Sequence, residues 1–108
     1  GSGGALALAC GDEVWMLENS TYSILSPEGF ASIMWKDSTK ADKAAELMQM
    51  VPQALLKQGI IEEIIPESEE HRKTCKNIEQ VLLKRLNKLQ ELPPNQLLAN
   101  RKKRYRKF

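Results

Sequence analysis

The chain has 108 residues, 42% of them hydrophobic and 28% charged, which fits one small globular domain and excludes a disordered tail. No apolar run approaches the ~18 residues a membrane crossing requires. The net charge of +2 is unevenly placed: six of the 16 Lys and Arg residues fall in the last eight positions, so residues 1–100 carry a net −4 and residues 101–108 a net +6.

In chain order, GSGG at 1–4 followed by an Ala/Leu run to Cys10 predicts a buried helix entered through a glycine turn. Glu13–Leu17 and Tyr22–Leu25 are short β-prone runs separated by Asn19-Ser20, and they predict successive strands. Ser26-Pro27-Glu28 supplies a side-chain cap, a proline at the first helical position and a first-turn acid, which start a helix running to about Trp35. Asp37 or Ser38 can cap the next helix, whose Ala41, Ala44, Ala45, Leu47, Met48 and Val51 fall mostly on one face before Pro52 interrupts it.

A short continuation over 53–58 ends at Gly59. Ile60–Ile65, bounded by Gly59 and Pro66, suits a strand, with Glu62 and Glu63 on a solvated face. From about His71 to Leu92, the apolar spacing of Ile78, Leu82, Leu86 and Leu89 predicts some five helical turns. Pro93-Pro94 stops that helix, and Asn95 can cap a last one entering the basic tail.

Residues able to carry chemistry are few. His71 is the single histidine, too isolated for a nucleophile and base pair, and is expected as a helix-start residue. Cys10 and Cys75 lie far apart with no paired ligand spacing, which argues against a metal site; buried, reduced thiols are expected in a cytoplasmic protein. The glycines differ. Gly1-Ser2-Gly3-Gly4, followed at once by the Ala/Leu run, would leave backbone N–H donors unshielded at a helix N-terminus, an arrangement suited to an anion or a developing oxyanion. Tight packing or a linker explains such a pattern equally well.

Several ungapped blocks then narrow the choice. GSGGALALAC at the start, EVWMLE, YSILSPEGFASIMWKD, AAELMQM, QGIIEEIIPE, His71-Arg72 and the basic end with Arg101 and Arg104-Tyr105 stand in the order of a known family. Together they resemble the carboxyltransferase alpha subunit of bacterial acetyl-coenzyme A carboxylase over almost the whole chain. Because GSGG belongs to the family block, a linker origin is disfavoured.

The resemblance implies an α/β chain: the C-terminal part of a crotonase-like (ββα) superhelix, mainly helical with a few short strands. Residues 1–66 would belong to that core and 67–108 to a C-terminal helical extension with the basic tail. The chain would then be a fragment, a split subunit or a truncation, and would be inactive alone. The implied activity is transfer of the carboxyl group from carboxybiotin on its carrier protein to acetyl-CoA, forming malonyl-CoA in the first committed step of fatty acid synthesis.

The family's glycine pair maps onto Gly3 and Gly4, whose N–H groups would face the biotin ureido oxygen as negative charge builds there. Implied partners are a carboxyltransferase beta subunit in an α2β2 assembly, the biotin carboxyl carrier protein and, in the wider complex, biotin carboxylase. No metal is expected in this chain. The family's GGAHR is replaced here by Ser68-Glu69-Glu70-His71-Arg72. Two alternatives come from other classes: a nucleic-acid module using RKKRYRKF, and another crotonase-type acyl-CoA enzyme.

Overall fold

The computed structural model describes residues 2–108, Ser2 by its backbone alone; Gly1 lies outside the described residues, and where a glycine turn is expected ahead of the first helix, Gly3 and Gly4 are already helical. The described chain is mostly helical: α1 (Ser2–Ala9), β1 (Trp15–Leu17), α2 (Pro27–Trp35), a 3-10 turn (Ser38–Lys40), α3 (Ala41–Met48), α4 (Pro52–Lys57), β2 (Glu63–Ile65), α5 (His71–Gln90) and α6 (Pro94–Arg106). The two strands pair in parallel, Trp15 with Glu63, Met16 with Ile64 and Leu17 with Ile65. Parallel partners need a long crossover. Here α2, α3 and α4 supply it.

Local chemistry explains most boundaries. Ser26 accepts the Gly29 N–H at 3.1 Å and Pro27 occupies the first turn of α2. Asp37 accepts the Thr39 N–H at 3.0 Å and the Thr39 hydroxyl at 2.6 Å, starting the 3-10 turn. Gly59 has φ +75°, a left-handed turn between α4 and β2 that a Cβ would strain. α6 begins earlier than Asn95 allows, because Pro94 takes the first helical position after Pro93.

The core is small. Val14, Met16, Leu55 and Ile61 are buried together, with Tyr22, Ile60 and Ile64 packed against them. Where α2 meets α3, Ala31 and Ala44 are both 0% exposed, and Lys43 Nζ of α3 stands 5.1 Å from the centre of the Trp35 ring of α2.

Other expectations fail. Tyr22–Leu25 forms no strand; the Tyr22 N–H goes to the Met50 carbonyl at 3.1 Å instead of a ladder. The first helix forms but is not buried: Leu6 is 70% and Leu8 69% exposed, on different sides of the helix, and no described element covers either. Both cysteines are exposed, and Cys10 Sγ contacts the Leu6 carbonyl at 3.3 Å.

Candidate functional site

Gly3 and Gly4 lie in the first turn of α1 and are exposed. The N–H groups of a first helical turn have no intrahelical acceptor, so both residues present donors outward. A Cβ built on either glycine meets no atom within 4 Å, which leaves the approach to these donors open. The first turn contains no acidic side chain, so the positive end of the helix is not neutralised locally. Beside it runs an apolar groove lined by Gly3, Ala5, Leu6, Ala9, Tyr22 and Ile24. Donors at one end and an apolar flank suit a flat polar ring bearing a carbonyl.

Tyrosine hydroxyls hold this helix at two points. Tyr22 donates to the Ala5 carbonyl. Tyr105, from α6, donates to the Ala9 carbonyl and, at 3.2 Å, to the Gly11 carbonyl.

Immediately beyond, Arg101 grips Asp12 with both ends of its fork, Nε to Oδ1 at 2.9 Å and Nη2 to Oδ2 at 3.1 Å. Hydrogen bonding to Asp12 raises the Arg101 pKa further above its already high value. Arg104 donates to Glu62 through Nε at 2.6 Å and to the Ile60 carbonyl through Nη2 at 2.6 Å. Its pKa is raised as well, chiefly by the hydrogen bond to Glu62. Arg85 of α5 donates to Glu13 at 2.6 Å and stands 3.8 Å from Glu63.

This polar seam was hidden in the sequence. Glu62 and Glu63, expected on a solvated face, are paired with Arg104 and Arg85. The basic end is not a loose tail either: through Arg106 it is helical, and positions 101, 104 and 105 share the face turned to the body. That i, i+3, i+4 spacing was the available signal. Lys102, Lys103 and Arg106 are exposed. With Arg101, Arg104 and the Tyr105 hydroxyl already engaged, RKKRYRKF is poorly suited to act as a single phosphate-binding strip.

His71 is exposed at the first position of α5, as expected of a helix-start residue. The loop before it is fastened to that helix: the Ser68 N–H donates to Thr74 Oγ1 at 2.9 Å, and Asn77 Nδ2 donates to the Pro66 carbonyl at 2.9 Å. Among the described residues no group of three His, Cys, Asp or Glu side chains is placed to hold a metal ion.

Comparison with known proteins accords with the block pattern. The family model described as "Acetyl co-enzyme A carboxylase carboxyltransferase-like" matches residues 1–108. The chain is 49% identical to the acetyl-coenzyme A carboxylase carboxyl transferase subunit alpha of Streptococcus sanguinis (strain SK36) over 109 aligned residues. It is 50% identical to the subunits of the same name from Streptococcus pyogenes serotype M12 (strain MGAS2096) and Streptococcus uberis (strain ATCC BAA-854 / 0140J). In each case all of this chain is covered, and it spans 43% of the relative's length.

Proposed function

The chain belongs to the acetyl-coenzyme A carboxylase carboxyltransferase family, and from that premise we infer that it supplies the alpha-subunit portion of a carboxyl-transfer site. The reaction is transfer of a carboxyl group from carboxybiotin to acetyl-CoA, giving malonyl-CoA for fatty acid synthesis. The observation that carries this reading is the exposed glycine pair opening α1, in a chain half identical to proteins named carboxyl transferase subunit alpha.

The carboxybiotin, brought by a carrier protein, supplies the activated carboxyl group. The residues present fit it: a Cβ on Gly3 or Gly4 would meet nothing within 4 Å, so both are open to approach, and their N–H groups are free of intrahelical acceptors. Their role is to donate hydrogen bonds to the ureido carbonyl oxygen, the atom on which negative charge grows as the carboxyl group departs. Fixed donors aimed at developing charge lower a barrier because they need no reorganisation, and losing one costs about 3 kcal/mol in comparable sites. The apolar groove beside Ala5 and Ile24 would flank the ring and exclude water.

Within this reading residues 1–66 form part of a crotonase-like core and residues 67–108 a C-terminal extension. The acetyl-CoA side of the site comes from a beta subunit in an α2β2 assembly, with biotin carboxyl carrier protein and biotin carboxylase completing a cytoplasmic complex. Among the described residues no helix is long and apolar enough to cross a membrane.

The test is Gly4→Val in the full-length protein assembled with its beta subunit. Valine keeps the backbone N–H, so the variant acts by standing a branched side chain over the exposed donors and keeping the ring from them; transfer to acetyl-CoA should fall by about two orders of magnitude, as when an oxyanion donor goes unused, while assembly persists. Full activity in that variant removes the assignment.

A further inference from the structure

α1 is an unusual helix to entrust with a fixed pair of donors. Eight residues is below the ~12–15 at which an isolated helix becomes even marginally stable in water, and two of the eight are glycines. None of its described residues is buried, and Leu6 and Leu8 stand out in solvent. Apolar packing therefore does not orient it. Polar tethers from elsewhere in the chain do: Tyr22 holds the Ala5 carbonyl, and the others act at the exit.

The last carbonyls of a helix have no intrahelical donor. In α1 the Ala7 carbonyl takes the Cys10 N–H at 3.3 Å and the Leu6 carbonyl takes Cys10 Sγ at 3.3 Å. The Ala9 carbonyl is satisfied by Tyr105, 96 residues away on α6, which also reaches Gly11. One residue further on, the Arg101 fork fixes Asp12. A two-point guanidinium grip fixes orientation as well as distance.

We propose that Tyr105 and Arg101 are positioning residues, which hold the exit of α1 so that Gly3 and Gly4 keep their donors aimed at the carboxyl-transfer site. The proposal rests on the assignment of those glycines as donors. Leverage gives it force: eight residues span about 12 Å, so a tilt of about 5° at the exit moves the first turn by about 1 Å. Displacement of that size costs up to about 100-fold where reacting groups must be aligned. The C-terminal helix thus acts on the chemistry without touching substrate.

The experiment uses Tyr105→Phe and Arg101→Gln in the full-length protein assembled with its beta subunit. It measures carboxyl transfer in reverse, from malonyl-CoA to free biotin. In that direction the malonyl C–C bond breaks, the carboxyl group joins the biotin N1 nitrogen, and the N1 proton ends on acetyl-CoA. Because the donors contact only biotin, each variant should raise KM for biotin and lower kcat, each about tenfold, with KM for malonyl-CoA unchanged.

A merely structural loss of active protein moves neither KM, so a fall in kcat with both KM values unchanged overturns the proposal. Unchanged kinetics in both variants, with Gly4→Val inactive, also overturns it and leaves the glycine assignment standing. Full activity in Gly4→Val removes that assignment and the proposal with it.

Discussion

Arg104 and Glu62, 42 positions apart, form the most enclosed ion pair among the described residues: Nε meets Oε1 at 2.6 Å, with the side chains only 9% and 22% exposed. The pair is also a junction. Glu62 Oε2 accepts the Val14 N–H at 2.6 Å, while Arg104 Nη2 donates to the Ile60 carbonyl at 2.6 Å. One contact therefore joins α6, the approach to β2 and the residue entering β1.

Replacing Arg104 by Met should cost about 2 kcal/mol, because Glu62 keeps its charge in a half-buried place with the Val14 N–H as its remaining described partner. Adding Glu62→Met should cost less than the two single changes together, since the second removes the stranded charge. Urea unfolding of the single and double variants measures both values. Strict additivity would show that the pair is not coupled.

Gly3→Ala tests the open space at the helix start. A Cβ there meets nothing within 4 Å, so the substitution should stabilise α1 by about 0.5–1 kcal/mol through helix propensity alone. Slower amide exchange over residues 5–9, whose N–H groups have acceptors within the helix, is the readout. In Gly4→Val, activity lost without a matching fall in melting temperature separates the chemical role of the glycine pair from a structural one.

What could be read beforehand, and what could not, divides by sequence separation. The start of α2 was legible because Ser26, Pro27 and Gly29 settle it within four residues. So were the course of α5, from its apolar spacing, and a first helix over the Ala/Leu run, although that helix takes in Gly3 and Gly4 instead of following them. The burial of that helix was not legible. It depends on whether another element covers Leu6 and Leu8, and no local rule contains that information. The polar seam stayed hidden for the same reason: Arg101 finds Asp12 across 89 residues and Arg85 finds Glu13 across 72. Charge patterning alone made the C-terminal run look solvated, although its 101, 104 and 105 spacing already marked one helical face.

The junction of α2 and α3 has no room. With Ala31 and Ala44 both fully buried, Ala44→Leu must push the helices apart and should destabilise the chain by about 1–3 kcal/mol. Ala44→Gly leaves the approach intact and should instead cost about 1 kcal/mol through helix propensity. Thermal melts of the two variants compare them; a neutral Ala44→Leu would mean that the helices do not meet as closely as their side chains imply.

Asp37 supplies a pH-dependent contribution whose sign follows from its contacts. Hydrogen bonds from the Thr39 hydroxyl and then the Thr39 N–H favour the charged carboxylate, lowering its pKa below the usual 3.8, and Lys40 adds to the effect. A group whose pKa is lowered by folding stabilises the fold above its unfolded value and loses that contribution as pH falls through the folded one. Asp37→Ala should therefore lower the melting temperature at pH 7, where the carboxylate is charged in both states. The difference should shrink as pH drops below 3.8 and vanish once Asp37 is protonated in the folded chain too. Thr39→Val, which removes the hydroxyl donor and keeps the backbone one, should show a smaller loss with the same pH dependence. A melting-temperature difference for Asp37→Ala that stays constant from pH 7 to pH 2 would mean that the cap acts through shape and not through charge.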